Sequence, residues 1–172
     1  MTDFPDPGRT DDLRELLLTY LDFYRGVVTT KVSGLDEDAY TTSCVPSGWT
    51  VAGLVNHLIH MERRWLHWGF AGEPVDQPWA DRAGDGWVSP DTDVEALLGE
   101  LAIVGAHTRC TVEQHDLADL ASVGGRFTTP EAAPQLQWIL LHVLQEYARH
   151  AGHLDISREL IDGSVGESPP YE

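Results

Sequence analysis

Lysine is almost missing from this chain. Lys31 stands alone beside ten arginines, and these 11 basic residues face 28 acidic ones, a formal net charge of -17. That balance argues against a nucleic-acid backbone or an anionic membrane surface as a partner. Cysteine is nearly as scarce. Cys44 and Cys110 lie far apart and outside any CxxC pattern, which excludes a disulfide framework and suits a reducing compartment. Each is expected to be a small buried hydrophobe. No apolar run approaches the roughly 20 residues that a membrane-spanning helix needs. The opening MTDFPDPGRTDD is acidic and lacks the basic and apolar regions of a signal peptide, so a cytoplasmic location is expected. Runs of alternating apolar and polar residues are missing too, which leaves little room for a sheet.

What is present is helical periodicity. With 172 residues the chain suits one domain, 1–172, with irregular tails over 1–10 and 164–172. A first helix is expected from about Thr10 to Lys31, burying Leu13, Leu16, Leu17, Tyr20, Leu21 and Tyr24, with Gly34 as its stop. Thr50 caps a second helix that reaches about Phe70 and turns Leu54, Leu58, Met61, Trp65 and Trp68 inward. Residues 71–90 form a long loop rich in Gly, Pro, Asp and Trp, in which Trp79 and Trp87 either cover a pocket mouth or pin the loop down. A third helix starts around Ser89-Pro90-Asp91 and ends near His115 or Asp116. A connector with some extended character at 126–128 leads to the fourth helix, Leu136 to Asp162, stopped by Gly163. Four such helices define an all-α fold, a four-helix bundle with long connecting loops.

The fourth helix carries the chemistry. Leu136, Ile139, Leu140, Val143, Leu144, Tyr147, Ala151 and Leu154 make its apolar stripe, and Glu146 and His150 sit inside or along that stripe. A carboxylate and an imidazole at i and i+4 stand one turn apart and can reach a single ion, although the same spacing also describes an ordinary surface Glu–His pair. On the second helix, His57 lies beside the inward face. Bundle cores build metal sites from inward side chains on facing helices. His57, Glu146 and His150 together make a two-histidine, one-carboxylate set with an open coordination position, the usual arrangement for catalytic zinc and one that also suits nickel or iron. His60, Trp65, His142, Arg149 and His153 lie at helical spacing around that set and are candidates for the pocket or for supporting contacts. Arg149 is the nearest cation for an anionic group. His107 and His115 have no acidic partner at useful spacing and are expected on the surface.

The segments WTVAGLVNHLIHMERRW and EYARHAGHLD resemble the second- and fourth-helix motifs of the DinB-like superfamily. In many DinB-like proteins the first of the two fourth-helix ligands is a histidine. Here it is Glu146, which is similar to the mycothiol-dependent maleylpyruvate isomerase branch, where His, Glu and His bind zinc. The resemblance runs from the first helix to about Gly163. It implies that His57, Glu146 and His150 are the metal ligands and that a homodimer is compatible with the bundle surface. Many relatives carry Gln where this chain has His153. The isomerases have an additional C-terminal domain, which residues 1–172 are not expected to contain. The leading expectation is therefore a metal-dependent S-transferase or isomerase that uses a low-molecular-weight thiol such as mycothiol on an electrophilic small molecule. A metal-dependent hydrolase is the alternative, as is a non-catalytic metal-binding bundle in which His60 or His153 closes the coordination.

Overall fold

The computed structural model describes residues 7–84, 86–90 and 92–165. Helix α1, Leu13–Val32, starts after Asp12, whose carboxylate accepts from the amides of Arg14 at 2.8 Å and Glu15 at 3.1 Å. Thr10, the cap expected from sequence, instead accepts from the Asp12 amide at 3.2 Å. A carboxylate serving two free amides at the positive helix end is the stronger cap. The inward face of α1 also differs from the expected one. Leu13 and Tyr20 are exposed, and Leu18, Val28 and Val32 complete the buried stripe. A single turn, α2 (Glu37–Thr41), capped by Asp36, follows and buries Tyr40.

Helix α3, Val51–Glu62, begins as its sequence dictates, with Thr50 Oγ1 accepting from the Gly53 amide at 3.0 Å. Nearly every face of it is buried. From Arg63 to Ala71 the helix continues in π form. There each hydrogen bond closes a wider turn than in an α-helix. The buried positions of this segment are Arg64, Leu66, Gly69 and Phe70, and the expected inward residues Trp65 and Trp68 are only half-buried, Trp65 packing against the core. Helix α4, Val94–Gln114, starts after Asp93 rather than at Ser89-Pro90; Asp91 lies outside the described residues. Helix α5 spans Leu136–Asp162 and ends at Gly163, whose φ of 77° closes the last turn. The loop between α3 and α4 holds a two-residue-per-strand hairpin, β1 (Arg82–Ala83) with β2 (Gly86–Trp87). The expected extended character near Phe127 is a single bridge to Val123. The expected tails fall largely on residues 1–6 and 166–172, outside the described residues.

Side-chain contacts fix the directions of the long helices. Arg14 near the start of α1 donates to Val112 O near the end of α4 at 2.8 Å, so these two are antiparallel. Lys31 and Asp155 pair at 2.7 Å, and Arg158 donates to Lys31 O at 2.8 Å, so the ends of α1 and α5 coincide. Arg63 meets Glu100 and, further along, His67 meets His107, which makes α3 and its π extension parallel to α4. His57 lies against His150 and Trp65 against His142, so α3 and α5 are antiparallel. The bundle is therefore up-down-down-up. Helix α1 packs on α4 and α5, as does α3, so α1 and α3 occupy opposite corners. A parallel α3–α4 pair requires the loop between them to travel back along the bundle. That return path carries Asp81 and Trp87 to the site described below.

The centre of the bundle contains a buried polar network. Arg25 of α1 reaches diagonally to Glu62, the last residue of α3, whose carboxylate is inaccessible to solvent. Tyr147 of α5 donates to the same carboxylate at 2.6 Å. Asp22 links Arg25 to Arg109 of α4, so four helices share one network. Burial works against the Arg25 charge, but Glu62, Tyr147 and Asp22 hold the guanidinium firmly protonated. Gly105 leaves the space for it, since a Cβ there would lie 2.8 Å from Arg25 Cδ. The cysteines depart from expectation: Cys44 is half-buried and Cys110 exposed. Among the described residues, no helix is long and apolar enough to cross a membrane.

Candidate metal centre

The middle of α3 and the middle of α5 face each other across the antiparallel pair, and this brings His57, Glu146 and His150 together. One ligand atom of each lies within 4.8 Å of those of the other two. The His57 and His150 rings meet edge to face with centroids 5.1 Å apart. Glu146 Oε2 lies 3.2 Å from His150 Nε2. Both histidines are buried and Glu146 is half-buried.

What surrounds this triad orients it. His57 Nδ1 lies 2.8 Å from Asp81 Oδ2. Asp81 is inaccessible to solvent and is gripped by Arg64, whose Nη1 and Nη2 reach its two oxygens at 2.5 and 3.0 Å. Arg64 also donates to Pro78 O at 2.7 Å, which fixes the loop on which Asp81 rides. Burial alone would raise the Asp81 pKa, but hydrogen bonds from His57 and Arg64 outweigh it and bring the value down to about 2. Asp81 is thus an acceptor, and His57 spends its Nδ1–H on it. The lone pair of His57 then resides on Nε2, the carboxylate–histidine arrangement that prepares an imidazole to ligate a metal.

At the other ligand, His150 Nδ1 stands 3.1 Å from His153 Nδ1. If the proton they share is on His150, its Nε2 lone pair faces the Glu146 carboxylate, and a cation between them satisfies both acceptors. Burial, only partly opposed by the Asp81 contact, lowers the His57 pKa and favours the neutral, ligating imidazole. With the proton on His150 Nε2 instead, that ring donates to Glu146, and this hydrogen bond is the chief cause that lowers the Glu146 pKa. The donor set and its supports fit a divalent transition metal.

Trp87 forms the wall of this site. Its ring stacks on His57 at 4.8 Å and 19°, and meets His150 edge-on at 4.7 Å. Trp49 and His153 continue the wall, with centroids 5.9 Å from Trp87 and 5.8 Å from Trp49 respectively. Asn56 Nδ2 holds the loop by donating to Val88 O at 2.7 Å. The approach is tight enough to demand glycine at position 53, where a Cβ would come within 2.7 Å of Trp87 O.

Other residues singled out from the sequence take different places. His142 Nε2 is 3.6 Å from Glu146 Oε1, and Trp65 packs 4.4 Å from the His142 ring, so these two approach the site through Glu146. Arg149 is exposed beside His153. His60, one turn after His57, is half-buried with an unpartnered Nδ1 and lies outside the triad. Trp79 sits among Arg64, Arg82 and Arg126, pinning the loop by cation–π contacts. His107 and His115, read from sequence as lacking acidic partners, have them: Glu73 at 3.3 Å and Asp119 at 3.5 Å. Asp81 and Arg64 were not singled out from sequence at all. The only hint was an acidic residue inside the Trp-rich loop.

The architecture is that of the DinB-like superfamily: a helical bundle, here with one histidine on the second long helix and a Glu–His pair four residues apart on the last. The mycothiol-S-transferase family model matches residues 16–163, and the chain belongs to that family. Comparisons with curated proteins and with solved structures give no match.

Proposed function

We propose that this protein is a metal-dependent S-transferase that joins a small thiol of the mycothiol type to an electrophilic small molecule. Membership of the mycothiol-S-transferase family supports the thiol chemistry. The observation that carries the metal dependence is the convergence of His57, Glu146 and His150, with Asp81 orienting His57. A divalent ion held by these three side chains, zinc before nickel or iron, would favour the thiolate form of a small thiol at neutral pH.

The chain's own residues supply the remainder. Asp81 and Arg64 hold His57 in one tautomer, and His153 holds the outer nitrogen of His150. Trp87 and Trp49, tilted 55° to one another, present an apolar wall that shields one side of the site from water and receives an apolar electrophile. Arg149 stands at the rim as the cation available to an anionic group. Neither Cys44 nor Cys110 belongs to the ligand group of His57, Glu146 and His150, and the attacking sulfur is assigned to the small thiol.

The test combines metal content with thiol dependence. Untagged wild type should carry zinc that Glu146→Ala loses, and it should couple mycothiol to a halide electrophile such as monochlorobimane. Turnover that needs no thiol would assign hydrolysis to the site instead. Zinc-free wild type that cannot be reconstituted would end the metal-dependent reading.

A further inference from the structure

A second constellation of metal-ligating groups lies outside the site described above. His67 on the π segment, Glu73 just beyond it and His107 on α4 bring one ligand atom each within 4.8 Å of one another. They share no residue with the His57 triad. We propose that His67, Glu73 and His107 form a second divalent-metal site, of the zinc, nickel or copper class, that clamps the π segment to α4.

One spacing within the cluster is that of a loaded site. His107 Nε2 lies 3.3 Å from Glu73 Oε2. Two ligands of a tetrahedral ion bound at about 2.0–2.1 Å stand roughly 3.3–3.4 Å apart. His67 Nδ1 is 4.0 Å from the same oxygen, so a small rotation of the exposed Glu73 carboxylate completes the set. The imidazoles of His67 and His107 are only 3.7 Å apart between centroids. Two imidazoles bound to one tetrahedral ion have centroids about 5 Å apart, so loading requires these rings to splay, which their partial exposure permits.

Each ligand is held by something specific. Thr111 gives its hydroxyl proton to His107 O at 3.0 Å, which leaves Oγ1 to face His107 Nδ1 at 3.5 Å. That favours a proton on Nδ1 and a lone pair on Nε2, turned toward Glu73. His67 is held by its place in the π segment alone, since its Nε2 is buried without a hydrogen-bond partner. Glu73 is returned to His67 by the way the π segment ends. Gly72 takes a φ of 70°, and the Glu73 amide donates to His67 O at 2.9 Å. Gly72 is also required for space, since its Cβ would lie 2.8 Å from Ser122 Cβ. A π-helical turn is uncommon and frequently marks a functional position. Here it rotates His67 toward α4.

The set differs from the first site in exposure. The His67 side chain is 16% accessible, that of His107 35% and that of Glu73 46%. An ion there has protein on one side and water on the other. It acts as a staple that holds the start of the α3–α4 loop, which further on carries Asp81 and Trp87.

Zinc titration of the metal-free full-length protein against a chelating indicator, with calorimetry in parallel, tests this. Wild type should bind zinc at two independent sites. His107→Gln and Glu73→Gln should each lose one of them and keep the one that Glu146→Ala removes. In a Glu146→Ala background, added zinc should still raise the melting temperature, and adding Glu73→Gln should abolish the rise. Glu73 is exposed, so its replacement does not threaten folding, and the circular dichroism of each variant checks this. A wild type that binds a single zinc removed by Glu146→Ala overturns the proposal. So does zinc binding at two sites in both His107→Gln and Glu73→Gln. Neither result bears on the thiol-transfer reading.

Discussion

Replacing Asp81 by Asn isolates the contribution of the loop to the proposed metal centre. The two side chains have the same shape, but Asn offers one acceptor oxygen where Asp offers two. In the wild type those oxygens receive His57 Nδ1 at 2.8 Å and two Arg64 nitrogens at 2.5 and 3.0 Å. In Asp81→Asn an amide NH2 must face either His57 or Arg64, setting donor against donor. If it faces His57, the Nδ1 proton is lost and the tautomer that leaves Nε2 free to ligate is no longer favoured. Loss of such a supporting contact lowers metal affinity by about 10- to 100-fold, or roughly 1.4–2.7 kcal/mol. Arg64 is buried and loses its ionic partner, and breaking a buried pair costs about 3–5 kcal/mol. The retained amide oxygen and Pro78 O should keep the loss near the lower end, within a domain stability of about 5–15 kcal/mol. The assay is zinc competition at a temperature where circular dichroism shows the variant folded, followed by thermal melting of the metal-free form. Zinc affinity within twofold of wild type in the folded variant would refute the orienting role of Asp81. A weakened affinity with unchanged melting would instead refute the structural role of the Arg64 pair.

Two further outcomes follow from the same contacts. Gly53→Ala places a methyl group 2.7 Å from Trp87 O and should push β2 off the site, with a destabilisation of about 1–3 kcal/mol and a shift in Trp fluorescence; an unchanged spectrum and melting temperature would contradict the tight approach. Burial holds His57, His60, His67, His142 and His153 below the ordinary histidine value of 6.5, with His67 at about 4. The unfolded chain therefore binds more protons than the folded one below pH 6.5, and metal-free protein should lose stability steadily as pH falls from 6.5 toward 4. Glu146 and Asp81, whose folded values are also lowered, act with the same sign further down. A melting temperature that is flat between pH 7 and 5 would contradict this.

Much of the fold was written locally. Thr50 and Gly163 mark helix ends because capping is decided within a turn of the chain. Glu146 and His150 share a face because i and i+4 do so on any helix. Where local rules competed, the structure chose: Asp12 displaced Thr10 as a cap, and in the π turns Trp65 and Trp68 are half-buried while Leu66 and Phe70 are buried.

What sequence determined by itself was the set of long helices, the apolar stripe of α5 and the Glu146–His150 pair on it, all of which depend on spacing along one helix. Only the tertiary structure decided which residues meet across helices. The up-down-down-up order sends the α3–α4 loop back along the bundle, and only then do Asp81 and Trp87 reach His57. The same packing joins Arg25 to Glu62 and Tyr147, and Glu73 to His67 and His107. None of these contacts has a period or a motif. Each is a pairing of polar groups whose partners are set by how the helices pack, and for the buried members desolvation makes the partners necessary.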